Sequence, residues 1–299
     1  MAITQNATPI PASGTQERKE LLDLLGEKAK LVRRETIRLA RIAGAGHYTG
    51  TFSCAELFSA LYYAQLRIRP DEPKWDGRDR FILSKGHAAI GLYPLMADRG
   101  FFPAGWLDNY TRLHSPFGDH PDMRKVPGID FSSGSLGHGL SVSLGIALAA
   151  RVTGTEYLTY CMLGDGELGE GQVWSAAQAA GHFKARNLIA IVDRNKLSID
   201  GVTEELMGVE PLGDKFEAFR WEVRRIDGHD LGQILDTFTY ARDRDSEQPL
   251  CIIADTVKGR GVRRMEHDKN WHVGNLMGAD YDDVMAEIDA GLQPSRSTA

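Results

Sequence analysis

Leu158 to Gly201 reads LTYCMLGDGELGEGQVWSAAQAAGHFKARNLIAIVDRNKLSIDG, and this stretch decides the fold. It opens on a short apolar run, Leu158–Leu163, and closes on another, Leu188–Asp193. Between them, Gly171–Lys184 has the length and small-residue pattern of a helix. Strand, helix and strand in that order imply a crossover connection, and therefore parallel strands. Neither run alternates with polar residues, as expected of strands covered by helices on both faces. The first run ends on Gly164-Asp165-Gly166 and the second on Asp193-Arg194-Asn195. Two strand ends bearing oxygen ligands thus face one cleft, at the place where open α/β sheets bind ligands.

The same alternation continues outward. Arg80–Leu83, Trp221–Ile226 and Leu250–Val257 read as further strands, with helices from about His87, over Leu140–Arg151 and over Leu231–Ala241. A long amphipathic pattern starts at Gln16, carries Leu21, Leu25, Val32 and Ile37 near a helical period, and stops at Gly44 and Gly46. Ser53, with Glu56 three residues on, has capping-box spacing for the next helix. The fold class is α/β, a parallel sheet with helices on both faces. One domain is expected over residues 15–285, with tails at 1–14 and 286–299.

Composition narrows the function. The 35 Lys and Arg against 41 Asp and Glu leave a net charge of −6, which speaks against a nucleic-acid partner, because phosphate recognition needs a basic footprint. With 42% hydrophobic and 25% charged residues the chain is globular, not disordered. The start of the chain lacks the charged and apolar regions of a signal peptide. The most apolar stretch, Leu140–Val152, is too short and mixed to span a bilayer. Cys54, Cys161 and Cys251 are widely spaced and form no metal or redox motif, so buried free thiols in a reducing compartment are expected. The expectation is a cytoplasmic protein with no membrane partner.

An acidic turn repels a bare phosphate. Asp165 makes sense if it holds a divalent cation that in turn holds a phosphate, since Mg²⁺ takes one or two carboxylates, other oxygens and substrate phosphates. The Asn195 amide oxygen and a carbonyl of the following turn are hard donors of the right kind.

At these residues the chain resembles thiamine-diphosphate enzymes, and more narrowly the diphosphate-binding, N-terminal half of transketolase. The resemblance rests on the quoted stretch, on Gly46-His47 with Gly50, on Asp79–Ala88 (DRFILSKGHA), on His120-Pro121-Asp122, and on Ser133–Gly137 (SGSLG). It implies thiamine diphosphate as cofactor with Mg²⁺, or Ca²⁺ or Mn²⁺, as the metal. Asp165 and Asn195 would bind the metal by side chain and Leu197 by its carbonyl. Gly166 would meet the diphosphate, Ile199 would pack on the thiazolium ring, and Gly134 and Leu136 would line the aminopyrimidine side. His47, His87, His120 and His272 match the family's active-site histidines, with His87 and His272 also counted as cofactor-binding. Imidazole suits proton transfer near neutral pH. Glu170 is counted with the cofactor-binding residues, as part of an acidic network at the subunit interface. That network is shortened here, because Ser175 stands where the family usually has a second acid. Thr49 before Gly50, and His138 where glutamine is frequent, are further departures.

Other residues are read from their surroundings. Lys258 and Arg260, in a glycine-bearing loop, are expected near the cleft. Lys85 fits a phosphate contact or a solvated surface equally well. His229, between Gly228 and Asp230, reads as turn and helix-cap chemistry.

A full transketolase continues with a pyrimidine-binding domain and a third domain. The resemblance therefore implies one subunit of a split enzyme. Its partner would be a C-terminal transketolase subunit bearing the pyrimidine-binding domain, in an α2β2 heterotetramer. The implied reaction transfers a two-carbon ketol unit from a ketose or ketose phosphate to an aldose. Two other readings fit a half-enzyme: the α subunit of a 2-oxo-acid dehydrogenase E1 component, and a non-catalytic, cofactor-binding regulatory subunit. The SKGHA, HPD and WHVG segments speak against the first, and the retained Asp165, Asn195 and histidines against the second.

Overall fold

The computed structural model describes residues 9–291; residues 1–8 and 292–299, the outer parts of the two expected tails, lie outside the described residues. Five strands form the main sheet: β1 (Arg80–Leu83), β2 (Thr159–Gly164), β3 (Leu188–Arg194), β4 (Glu222–Asp227) and β5 (Leu250–Asp255). All neighbours are parallel, in the order β1-β2-β3-β5-β4.

Alternation along the strands sorts their side chains into two cores. Phe81, Tyr160, Met162, Ile189, Ile191 and Ile252 face one side, with the long helix α1 (Gln16–Ala43) and helices α2 (Ala89–Asp98), α5 (Leu231–Asp243) and α6 (Ala279–Ala290). Ile82, Cys161, Leu163, Ala190, Val192 and Ile253 face the other, with α3 (Gly139–Thr153) and α4 (Gly171–His182). Cys54, Cys161 and Cys251 are free and buried. No helix among the described residues is long and apolar enough to cross a membrane.

Local signals account for both ends of α1. The Thr15 hydroxyl accepts from the Arg18 amide to start α1. Gly44, at φ 87°, ends it in the left-handed conformation that glycine adopts without penalty. The closing helix α6 continues to Ala290, past the boundary expected at 285, because Val284 and Ile288 are both buried against the first core.

Ser53 does not cap the following helix. Cys54 precedes the helical residues Ala55–Ala60, and the Ser53 hydroxyl lies 2.6 Å from Asp193 Oδ2. Glu56 is instead buried between Arg33, 2.7 Å away, and His229, whose Nδ1 is 3.0 Å from Oε2.

Candidate functional site

The carboxyl ends of β1, β2, β3 and β5 open into one cavity of about 370 Å³. Beyond β1, Lys85 and His87 line it; beyond β2, Gly164, Asp165, Gly166 and Glu167; beyond β3, Asn195 and Leu197 to Asp200; beyond β5, Lys258. Parallel register makes this convergence, with Gly164 beside Asp193 and Asp193 beside Ala254.

Of the residues singled out from sequence, His47, His87, His120, His272, Gly134, Leu136, Asp165, Gly166, Asn195, Leu197 and Ile199 all line this cavity. They come from segments as far apart as 47 and 272. A two-residue antiparallel ribbon explains one such meeting: His47 pairs with Val273, which carries His272 alongside. The His47 ring centroid lies 5.3 Å from those of His87 and His272, and 6.3 Å from His120.

Four of the sequence readings need amending. Glu170 does not line the cavity; it immediately precedes α4 with extended backbone and is exposed, as a residue reaching a subunit interface would be. Arg260 is also outside, its backbone carbonyl accepting from Arg33 Nε at 2.8 Å. His229 caps nothing: Nε2 accepts from the Val257 amide and Nδ1 faces Glu56, while Asp230 caps α5. Of the two alternatives for Lys85, the solvated surface falls, while the residue does line the cavity. It is 1% exposed, pairs with Asp193, and donates to the Gly50 carbonyl at 2.6 Å.

Two functional-looking acids were missed by residue reading. Asp193 is fully buried beneath the cavity and accepts from Lys85, Ser53, Thr256 and Asn195. Burial opposes its ionisation, but Lys85 outweighs this and holds its carboxyl below the usual range. Glu167 accepts from Ser84 Oγ and from the amides of Gly137 and Gly164. Here burial outweighs those hydrogen bonds and pushes the carboxyl up.

Electrostatics divide the cavity. Burial and the nearby Asp193 raise Asp165 above the ordinary carboxylate range, although the amides of Lys196 and Gly166 donate to it at 2.7 and 3.0 Å. A cation at Asp165 would relieve that penalty. Lys258 Nζ donates to the Leu197 and Ser198 carbonyls at 2.9 and 3.0 Å, and burial followed by Lys85 lowers it to about 8. An anion beside it would have the opposite effect. Burial holds His87 well below the usual imidazole range, with Lys85 adding to it. Burial, followed by Lys258, lowers His272 to about 3. His272 Nδ1 and Ser133 Oγ are buried without a hydrogen-bond partner, as polar atoms awaiting a ligand would be.

The residues therefore fit a phosphorylated cofactor held through a cation. Gly164 has open space where a side chain would stand, so a ligand can approach the backbone there. Among the described residues, no three His, Cys, Asp or Glu side chains group as a metal site. The donors at the strand ends are instead one carboxylate, one amide and one carbonyl, a hard oxygen set that leaves positions for phosphate oxygens.

Comparison with known proteins agrees. Residues 27–298 match the family model described as transketolase, thiamine diphosphate binding domain. One of the subunits of apulose-4-phosphate transketolase from Phocaeicola vulgatus is 39% identical over 274 residues, covering 92% of this chain and 96% of that protein. The 6-deoxy-6-sulfo-D-fructose transketolase subunit SqwG of a Clostridium species is 38% identical over 265 residues, covering 89% and 96%. The crystal structure of transketolase from Campylobacter jejuni superposes with a TM-score of 0.82 at 29% identity, covering 91% of this chain but only 42% of that one. The chain belongs to the transketolase family, as its thiamine-diphosphate-binding domain.

Proposed function

We propose that this chain is the diphosphate-binding subunit of a two-subunit transketolase, moving a two-carbon ketol unit from a ketose donor to an aldose acceptor. The observation that carries the reading is the one cavity lined both by Asp165 and Asn195 from the strand ends and by His47, His87, His120 and His272. Support for a partner comes from relatives that are themselves named as transketolase subunits, of which this chain covers 96%. That partner carries the pyrimidine-binding domain, and the assembly is an α2β2 heterotetramer in the cytoplasm.

In this reading Asp165, the Asn195 amide oxygen and the Leu197 carbonyl hold Mg²⁺, with Ca²⁺ or Mn²⁺ as substitutes. The Leu197 carbonyl already accepts from Lys258, so the metal competes with that ammonium for one oxygen. Gly166 and His87 meet the diphosphate, Ile199 packs on the thiazolium, and Gly134 and Leu136 flank the aminopyrimidine. Bound thiamine diphosphate supplies the nucleophilic carbon that carries the two-carbon unit. The chain's own task is to place the sugar and move protons. His87 and His272, held neutral, hydrogen-bond the sugar hydroxyls, and His47 and His120 complete the ring of imidazoles at the mouth. Sugars and sugar phosphates are the substrate class.

The test is reconstitution. The purified chain, its partner, thiamine diphosphate and Mg²⁺ should transfer ketol units from ketose phosphates in a coupled aldose assay. The chain alone, with cofactor and metal, should not turn over. Turnover by the single chain would overturn the two-subunit reading.

A further inference from the structure

His47 lies at the centre of the imidazole cluster, and something must decide which of its nitrogens faces the sugar. Asp119 is placed to do so. Its Oδ1 lies 3.2 Å from His47 Nδ1, and Tyr110 Oη lies 3.4 Å from the same oxygen. Burial raises the Tyr110 hydroxyl well above its ordinary range, so it stays protonated and donates to Asp119. Asp119 is half-buried. Burial alone would raise its carboxyl, but the hydrogen bond from His47 outweighs this and holds it below the usual range. An ionised carboxylate can only accept. The proton of a neutral His47 must therefore sit on Nδ1, leaving Nε2 unprotonated on the opposite edge of the ring.

We propose that Asp119 is a positioning residue for ketol transfer, fixing His47 in the Nδ1–H tautomer so that Nε2 serves as the proton acceptor in the cavity. The other titratable groups around His47 are the rings of His87, His120 and His272. His120 Nδ1 stands 3.7 Å from the second Asp119 oxygen, so the same carboxylate flanks two of the four imidazoles. The logic is that of any carboxylate–imidazole pair, in which the acid orients the ring and sets its tautomer without itself exchanging the proton.

The kinetic part rests on the ketol-transfer reading; the tautomer does not. The direct test is long-range ¹H–¹⁵N NMR of the imidazoles in the full chain above pH 7, with His47 assigned by its loss in His47→Gln. Wild type should show a protonated Nδ1 and a bare Nε2 at His47. Asp119→Asn should mix the tautomers or invert them, because an amide can also donate. In the reconstituted enzyme, Asp119→Asn should lower kcat roughly ten- to hundredfold, with KM moving much less. Combining it with His47→Ala should add little to the loss from His47→Ala alone. A wild-type His47 protonated on Nε2, or an Asp119→Asn protein that keeps the Nδ1–H form, overturns the proposal whatever the enzyme turns over. A carboxylate that merely braced its loop would leave the tautomer unmoved.

Discussion

The Lys85–Asp193 pair lets the architecture beneath the site be measured. Their side chains are 2% and 0% exposed, so neither charge can fall back on water. Lys85→Met keeps the bulk of the side chain and removes the charge. Breaking a buried pair from one side costs about 3–5 kcal/mol, because the remaining charge is stranded. Asp193 would keep three donors, Ser53, Thr256 and Asn195, which places the expected loss at the lower end, about 3 kcal/mol. For a domain of this size, about 2–4 °C of Tm per kcal/mol converts that to roughly 6–12 °C. Denaturant and thermal unfolding of the full chain would read it directly. Lys85→Met/Asp193→Asn removes both charges and should recover most of the loss, since no charge is left stranded: the amide oxygen can accept from Ser53 and Asn195 while its NH2 donates to the Thr256 hydroxyl, which reverses its role. The site should respond as well. Asp193 Oδ2 accepts from Asn195 Nδ2 at 3.2 Å, so its disturbance tilts the amide that presents an oxygen to the cavity. Cofactor affinity of the single variant should fall at least tenfold, about 1.4 kcal/mol. A single variant losing under about 1 kcal/mol, or a double variant no better than the single, would refute the claim that this pair is a dry, mutually dependent ion pair.

Three further outcomes are expected. Asp165→Asn should leave Tm within a few degrees yet abolish Mg²⁺-dependent binding of thiamine diphosphate in calorimetry; unchanged binding would remove Asp165 from the cation site. Burial alone would raise Glu56, but Arg33 and then His229 outweigh it and lower the carboxyl to about 2 from 4.5. Its folded value lies below its unfolded one, so its contribution is complete above about pH 4.5 and is lost as pH falls from there toward 2. Glu56→Gln should flatten that part of the stability–pH profile in urea titrations, and a slope identical to wild type would show that Glu56 is not the titrating group. Gly181→Ala should destabilise by about 1–3 kcal/mol although alanine is the better helix former, because its Cβ would overlap the Phe219 carbonyl. A higher Tm would mean that α4 can move off that carbonyl.

The parts of the fold legible in the sequence are those with short-range causes. LIAIVD and RFIL are apolar without alternation because their strands are covered on both faces, and Gly44 ends α1 because only the left-handed conformation is needed there. Ser53 shows the limit of such rules. Its spacing to Glu56 is that of a capping box, yet its hydroxyl has a stronger acceptor in Asp193, which is 140 residues away in sequence. Lys85 and Asp193 identify each other only across strands β1 and β3, and no local pattern marks a lysine whose counter-charge arrives through the fold.

The two glutamates of Gly164–Gly171 sharpen the point, because they share one glycine-rich segment and end in opposite surroundings. After Asp165 the chain makes a single tight 3₁₀ turn over Gly166–Gly169. With about three residues per turn, that geometry folds Glu167 back toward the strand ends, where the Gly164 and Gly137 amides and Ser84 receive it. Three residues later Glu170 stands just before α4 with extended backbone, at φ −75° and ψ 119°, and is exposed. A reading by motif assigns the acid that recurs at a familiar spacing; a reading by geometry assigns the acid that the turn drives inward. The pressure on Glu167 follows from that placement: three donors hold its carboxylate, and burial still raises it, as it raises Asp165, so of the two glutamates it is the one whose charge bears on the cavity. Glu170 is exposed instead, and its substitution should leave cofactor binding by the isolated chain untouched.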